Sequence, residues 1–273
     1  MVLTVASATN DRRDELELDK PNSARVYDYL IGGKLNYAVD RHFADRVMAQ
    51  LPNVRDICLL NRYWLRRVVR FGIEQGIRQF LDIGSGMPTV GHVHEVAQKA
   101  DPTARVLYVD NEPIAVAHSE IVLQGNDRAV MLDADGEQPE EIFDHPVTRR
   151  LLNLDEPMMV IIAAFVHFIP DERRPKALID RYRDLIAPGS YLALSSDTGD
   201  QQSDEVLQAI ELYNKTVSPL HLRSRDELAE LMAGFDLVDP GIVFTPEWRP
   251  TNPADVGENP ERASILAVVG RKP

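Results

Sequence analysis

Apolar positions change their spacing along this chain, and the change marks where helices give way to strands. Ile57, Leu60, Trp64, Val68 and Phe71 recur at steps of three and four, which predicts one helix over about 54–71. Arg62, Arg66, Arg67 and Arg70 occupy the rest of its surface. Two shorter helices are expected before it. Pro21-Asn22-Ser23 starts the first and Gly32-Gly33 stops it, while Phe43, Val47 and Leu51 mark a second from about 40 to 51. From residue 80 the pattern becomes short apolar runs separated by helical stretches. Runs at 80–83, 105–110, 129–133, 158–165 and 190–195 have strand length, and 89–100, 113–124 and 171–186 have helical spacing. Such alternation predicts an α/β fold with a parallel sheet and right-handed crossovers. The segments 241–245 and 264–270, joined by the Pro- and Asn-rich 246–262, predict a closing antiparallel hairpin.

Three successive runs end on an acid: Asp82, Asp110 and Asp133. Ligands on a parallel sheet bind at this carboxyl edge. One such acid is commonly a turn or cap residue, but three in register point to a site. Gly84-Ser85-Gly86 follows the first acid, and glycines there let the backbone approach a ligand. Asp110 is placed to accept both hydroxyls of a ribose, a device shared by NAD-binding and S-adenosylmethionine-binding sheets. The sixth position of GxGxxG, normally Gly or Ala, is Thr89 after Met87-Pro88, which disfavours a pyrophosphate-bridged dinucleotide. The closing hairpin is the mark of the seven-stranded methyltransferase sheet.

A net charge of −13 over 273 residues repels a phosphate backbone, so nucleic acid is not an expected partner. Small molecules and cationic groups are favoured. The single cysteine, Cys58, excludes an intramolecular disulfide and a Cys-based metal cluster. The apolar 1–8 segment is too short for a membrane span and lacks a basic lead, so a cytoplasmic protein with no membrane contact is expected. His92 and His94, two apart on an expected helix, would face different ways, and no metal site is expected. Trp248 could line a substrate pocket or fold back on the surface. Residues 1–20 are expected to be disordered, 21–75 to form a helical cap and 76–273 the sheet domain. Within the cap, Tyr27, Tyr29 and Tyr37 around Gly32-Gly33 suit a flap over the ligand.

The chain resembles class I S-adenosylmethionine-dependent methyltransferases. More narrowly it is similar to an actinobacterial family of S-adenosyl methyltransferase-like proteins whose substrates are largely unassigned. The resemblance is carried by residues 23–34 (SARVYDYLIGGK), Asn61-Arg62, 80–86 (FLDIGSG), Val109-Asp110, 164–171 (AFVHFIPD) and 270–273. It implies a Rossmann-like three-layer sandwich with a seven-stranded, mostly parallel sheet, a C-terminal antiparallel hairpin and an N-terminal helical cap. It implies S-adenosylmethionine as cofactor, S-adenosylhomocysteine as product and a small-molecule substrate. Asp82 would neighbour the cofactor's ammonium and Asp110 with Asn111 its ribose. Asp133 and Ala134 would border the adenine, with Ala163 and Ala164 beneath the methionine portion. Gly84, Ser85 and Gly86 would form the loop, and Tyr27 and Arg62 would reach in from the cap. His167 is the candidate base, because that position faces the methyl group in many relatives; His42, His92, His94 and His118 are weaker candidates. Pro88 departs from the family's third glycine. An NAD(P)-linked oxidoreductase and a catalytically silent cofactor-binding module are the alternatives. Oligomeric state is left open.

Overall fold

The computed structural model describes residues 18–89 and 91–273, so the expected disorder of 1–20 falls almost wholly outside the described residues. The chain opens with α1 (Ser23–Leu30), α2 (Ala38–Gln50) and α3 (Val54–Glu74). There follow β1 (Gln79–Ile83), α4 (Val93–Ala100), β2 (Arg105–Asp110), α5 (Pro113–Val122) and β3 (Ala129–Asp133). Two short helices, α6 (Pro139–Asp144) and α7 (Pro146–Leu151), lead to β4 (Met159–Ala163), α8 (Pro175–Leu185) and β5 (Tyr191–Asp197). The remainder is α9 (Asp204–Thr216), α10 (Arg225–Leu231), β6 (Asp236–Leu237), β7 (Val243–Phe244) and β8 (Ile265–Arg271).

The sheet order is β3-β2-β1-β4-β5-β8-β6, with β1 to β5 parallel and β8 antiparallel to β5. β6 pairs with Gly270 and Arg271 of β8, and β7 with Leu266 and Ala267. The two short strands therefore share one strand position, and the eight strands fill the expected seven. Pro240 lies in the break and has no N–H to donate to a ladder, which confines it to such an edge.

Side-chain alternation divides the core. Leu81, Ile83, Leu107, Val109, Val160, Ile162, Leu192 and Leu194 face a layer that includes α6, α8 and α10. Phe80, Val106, Tyr108, Met159, Ile161 and Ala193 face the other layer, with Trp64, Leu65, Val68, Val69 and Phe71 of α3. A smaller core joins α1, α2 and α9 through Val26, Phe43, Val47, Val206 and Ala209, and meets the sheet at Ile265. Since Ile265 pairs with Asp197 at the end of β5, this satellite sits over the carboxyl edge.

Several boundaries differ from expectation for local reasons. α4 begins at Val93 rather than near 89, because Pro88 and the left-handed Gly91 (φ +84°) hold a loop and Glu95 caps the helix at His92. The 171–186 stretch is interrupted at Arg174 (φ +54°), which precedes Pro175 and so avoids the helical region. Trp248 is fully buried, edge-on to Phe71 at 5.6 Å, and Arg67 Nε donates to its carbonyl at 2.9 Å. It is a core residue that locks the 246–262 segment onto α3.

Candidate active site

The two-residue period of the strands determines which groups meet. Asp82 is in register with Tyr108 and Ile161, and Ile161 with Ala193, so Asp82 shares the face that α3 covers. The same parity sends Asp110, Ala163, Ser195 and Asp197 to that face at the carboxyl edge. There they border a cavity of about 760 Å³, whose lining also includes residues of α1, α3 and α9.

Asp82 is buried, and burial pushes its carboxyl up to about 7, opposed by Arg62 and reinforced by Asp110. Asp110 Oδ2 accepts the Gly86 N–H at 2.8 Å and its Oδ1 accepts the Glu112 N–H at 2.9 Å. One carboxylate thus holds both the glycine loop and the start of α5, while burial raises its pKa against these hydrogen bonds. Gly84 and Gly86 are left-handed at φ +65° and +67°. A Cβ on Gly84 would lie 2.5 Å from the Phe165 ring, whereas Gly86 is demanded by its φ alone. The steric need at Gly84 is therefore internal packing. Past Pro88 the loop is tied down by Arg62 Nη2, which donates to Thr89 Oγ1 at 3.1 Å.

Ala164 also has a left-handed backbone (φ +54°) and donates its N–H to Ser195 Oγ at 3.0 Å. Ser195 Oγ donates to Asn61 Oδ1 at 2.9 Å, and Asn61 Nδ2 reaches Tyr27 Oη at 3.4 Å. This chain couples the end of β4 to β5, α3 and α1. His167 Nδ1 accepts the Asp197 N–H at 3.1 Å, which assigns the proton to Nε2. Burial lowers the pKa of this imidazole further. The nitrogen that would act as a base is already engaged, so His167 is presented as a neutral donor.

Tyr27, Arg62, Asp82, Gly84, Ser85, Gly86, Asp110, Asn111, Ala163, Ala164 and His167 all line the cavity. Asp133 and Ala134 lie outside its wall, where Asp135, Gly136 and Glu137 stand instead. None of His42, His92, His94 and His118 borders it. His92 precedes α4 instead of sharing a helix with His94, and both rings pack on Tyr108. Sequence reasoning missed Asp197, two residues beyond the expected end of its strand, and all of α9. The latter carried a signal: Val206, Ala209, Ile210, Tyr213 and Val217 step at helical spacing.

Two atoms test whether this cavity suits a polar ligand. Ser85 Oγ and Arg62 Nε are buried without a hydrogen-bond partner, although both residues border the cavity. Buried polar groups are seldom left so. With the Asp82 and Asp110 carboxylates nearby, the donor set fits S-adenosylmethionine, which carries an ammonium, a carboxylate and a ribose.

Sheet order, antiparallel closing strands and a cavity at the carboxyl edge define the class I methyltransferase fold. The chain belongs to the S-adenosyl methyltransferase family, whose model matches residues 9–273. A candidate methyltransferase from Thermobifida fusca YX is 36% identical, with a TM-score of 0.89 over 94% of this chain and 97% of that one. A DUF574 family protein from Streptomyces avermitilis MA-4680 is 37% identical, with a TM-score of 0.89 over 94% and 99%. Human N-acetylserotonin methyltransferase in complex with S-adenosylmethionine shares the fold at 14% identity and a TM-score of 0.51, over 92% of this chain and 63% of that one. No curated protein matches the sequence. S-adenosylmethionine is the cofactor of the family, and no helix among the described residues is long and apolar enough to cross a membrane.

Proposed function

We propose that this chain transfers the methyl group of S-adenosylmethionine to a small molecule, with residues 21–75 as a cap on a cofactor-binding domain formed by 76–273. The observation that carries the reading is one cavity holding Asp82, Asp110 and the glycine loop at one end and an apolar chamber at the other. When bound, S-adenosylmethionine supplies an electrophilic methyl group on a sulfonium. Asp82 would stand beside its ammonium, and Asp110 with Asn111 would accept the ribose hydroxyls. The adenine end would fall by Asp135, Gly136 and Glu137, and Ala163 and Ala164 would underlie the methionine portion. Arg62 and Ser85 offer donors to the carboxylate. The chain's own work is to align the reactants and exclude water, which supplies much of the rate enhancement in such displacements. The acidic surface and a cavity of about 760 Å³ favour a small-molecule acceptor in the cytoplasm over nucleic acid. Calorimetry should show binding of S-adenosylhomocysteine and no heat with NAD. NAD binding with silence toward S-adenosylhomocysteine would overturn the assignment in favour of an oxidoreductase.

Asp82 makes this binding pH-dependent. An ammonium beside it favours the ionised carboxylate, so below pH 7 binding must first remove a proton. Affinity should fall toward about tenfold per pH unit there, and Asp82→Asn should flatten the profile and weaken binding at pH 8. Stability runs the other way. The folded pKa is raised from 3.8 to about 7, so this group's contribution is full below pH 3.8 and lost as pH rises through 7. The cofactor-free Asp82→Asn protein should therefore be more stable than wild type at pH 8, by on the order of 2–4 kcal/mol, and much less so at pH 5. Parallel melting curves at both pH values, with unchanged differences, would refute the buried-carboxylate account.

A further inference from the structure

The cavity extends past the cofactor-facing residues into a chamber walled by α1, α3, α9 and the start of β8. Ile57, Cys58, Val206, Ile210 and Tyr213 give it an apolar and aromatic lining. Asp197, the last residue of β5, brings a carboxylate to this chamber. Its nearest basic neighbour is His167, whose Nδ1 lies 3.5 Å from Asp197 Oδ2. That nitrogen already accepts the Asp197 backbone N–H, so the imidazole is neutral and offers the carboxylate no charge. Arg223 donates its backbone N–H to the Asp197 carbonyl, while its guanidinium donates through Nη1 to Asp171 and through Nη2 to the Ile169 carbonyl. Arg223 Nε is buried without a partner, and the guanidinium makes no ion pair with Asp197. The other ionisable groups that feel Asp197 are Tyr27, Cys58 and Tyr213, each kept neutral by burial. Among the described residues, no lysine or arginine side chain pairs with it. A carboxylate left without a cation in an apolar chamber is costly, and a ligand that brings the cation removes the cost.

Resting on the methyltransferase reading above, we propose that this chamber takes an apolar, ring-sized molecule bearing a basic amine. Asp197 pairs with the ammonium and receives its proton, and the amine nitrogen is the methyl acceptor. In that step the N–H bond breaks, its electron pair stays on nitrogen and the proton passes to the Asp197 carboxylate. The nitrogen pair forms the new N–C bond while the S–C bond breaks, its electrons neutralising the sulfonium to leave S-adenosylhomocysteine. Asp197 then gives the proton to water. An alcohol or phenol would leave the carboxylate uncompensated, which is why the amine is favoured. Burial raises the proton affinity of Asp197 and so assists the transfer. The net charge of −13 attracts cationic ligands from solution.

The test uses a panel of arylalkylamines, each beside its matched alcohol, starting with 2-phenylethylamine and 2-phenylethanol. Binding is measured by calorimetry on the full chain saturated with S-adenosylhomocysteine. Amines should bind at least tenfold more tightly than their alcohols, and Asp197→Asn should abolish that difference while holding S-adenosylhomocysteine affinity within twofold. Methyl transfer to the amines from labelled S-adenosylmethionine should drop at least 100-fold in the variant. Equal affinity for amine and alcohol, preference for the alcohol, or binding of neither to the saturated wild-type protein would overturn the proposal without needing the variant to fold. Absence of S-adenosylhomocysteine binding in the wild type would instead overturn the methyltransferase reading.

Discussion

Replacing Asp110 by alanine is expected to weaken S-adenosylhomocysteine binding by about 30- to 1000-fold, or roughly 2–4 kcal/mol. Two effects combine. The ribose hydroxyls lose a charged acceptor, and the Gly86 and Glu112 N–H groups lose the oxygens that hold them at 2.8 and 2.9 Å. Because the carboxylate organises the loop as well as the ligand, the variant should also lose about 1–3 kcal/mol of stability. Asp110→Asn separates the two: one oxygen remains for a backbone N–H while the charge is gone, so most of the stability should return and most of the affinity should not. Calorimetry beside urea denaturation measures both quantities. An unchanged dissociation constant in folded Asp110→Ala would remove Asp110 from the cofactor site.

The second large effect is expected in the cap, at Asp40. Its carboxylate is fully buried and accepts Arg25 Nε at 2.8 Å, the Tyr37 N–H at 2.8 Å and the Asn22 N–H at 3.0 Å. Arg25 continues to Glu112 at 3.2 Å, at the loop between β2 and α5. Removing one partner of such a pair strands the other, so Asp40→Ala should cost about 3–5 kcal/mol in urea denaturation. The loss should appear first in α1 and α2, seen as faster hydrogen exchange across 21–50, with cofactor affinity falling as Arg25 releases Glu112. A cost below about 1 kcal/mol would show that solvent already reaches the pair. The network also bears on the flap suggested by Gly32-Gly33. Gly33 has no Cβ because the Asp28 carboxylate fills that space, an added Cβ falling 1.9 Å from Asp28 Oδ1. Asp28 Oδ2 in turn accepts from the Leu35 N–H at 2.8 Å and Asn36 Nδ2 at 2.7 Å. The paired glycines make a tight stapled turn, which favours a fixed cap over a hinged one.

What could be read in advance follows from how local each signal was. β2 and β3 were legible to the residue, because short apolar runs ending on Asp110 and Asp133 are bounded by turns. α3 was legible because its stripe runs for several turns. α6 and α7, at six residues each, are too short to display a period, and β6, at two residues, exists only through its pairing with β8, whereas β7 lies within the strand expected at 241–245. In the site, the acids at strand ends stood out because strand parity brings them to one edge. Asp197 did not, since Ser195-Ser196 before it obscured the apolar run. The partner of Gly84 was hidden for another reason: Phe165 meets it only across the fold.

The position of β8 has a consequence for synthesis. It is made after both of its neighbours, β5 and the split β6–β7 edge, yet it lies between them. Until residues 265–271 leave the ribosome, the β5 edge from Tyr191 to Asp197 has no partner on that side. Unpaired apolar edges recruit other strands, so the nascent chain passes through an association-prone interval that ends with one insertion event. Ile265 enters the cavity wall in the same event, completing a chamber whose α1 residues were made earlier. Chains stopped before residue 265 would carry every acid of the cofactor edge and still lack a closed site, which marks them for chaperones and proteases.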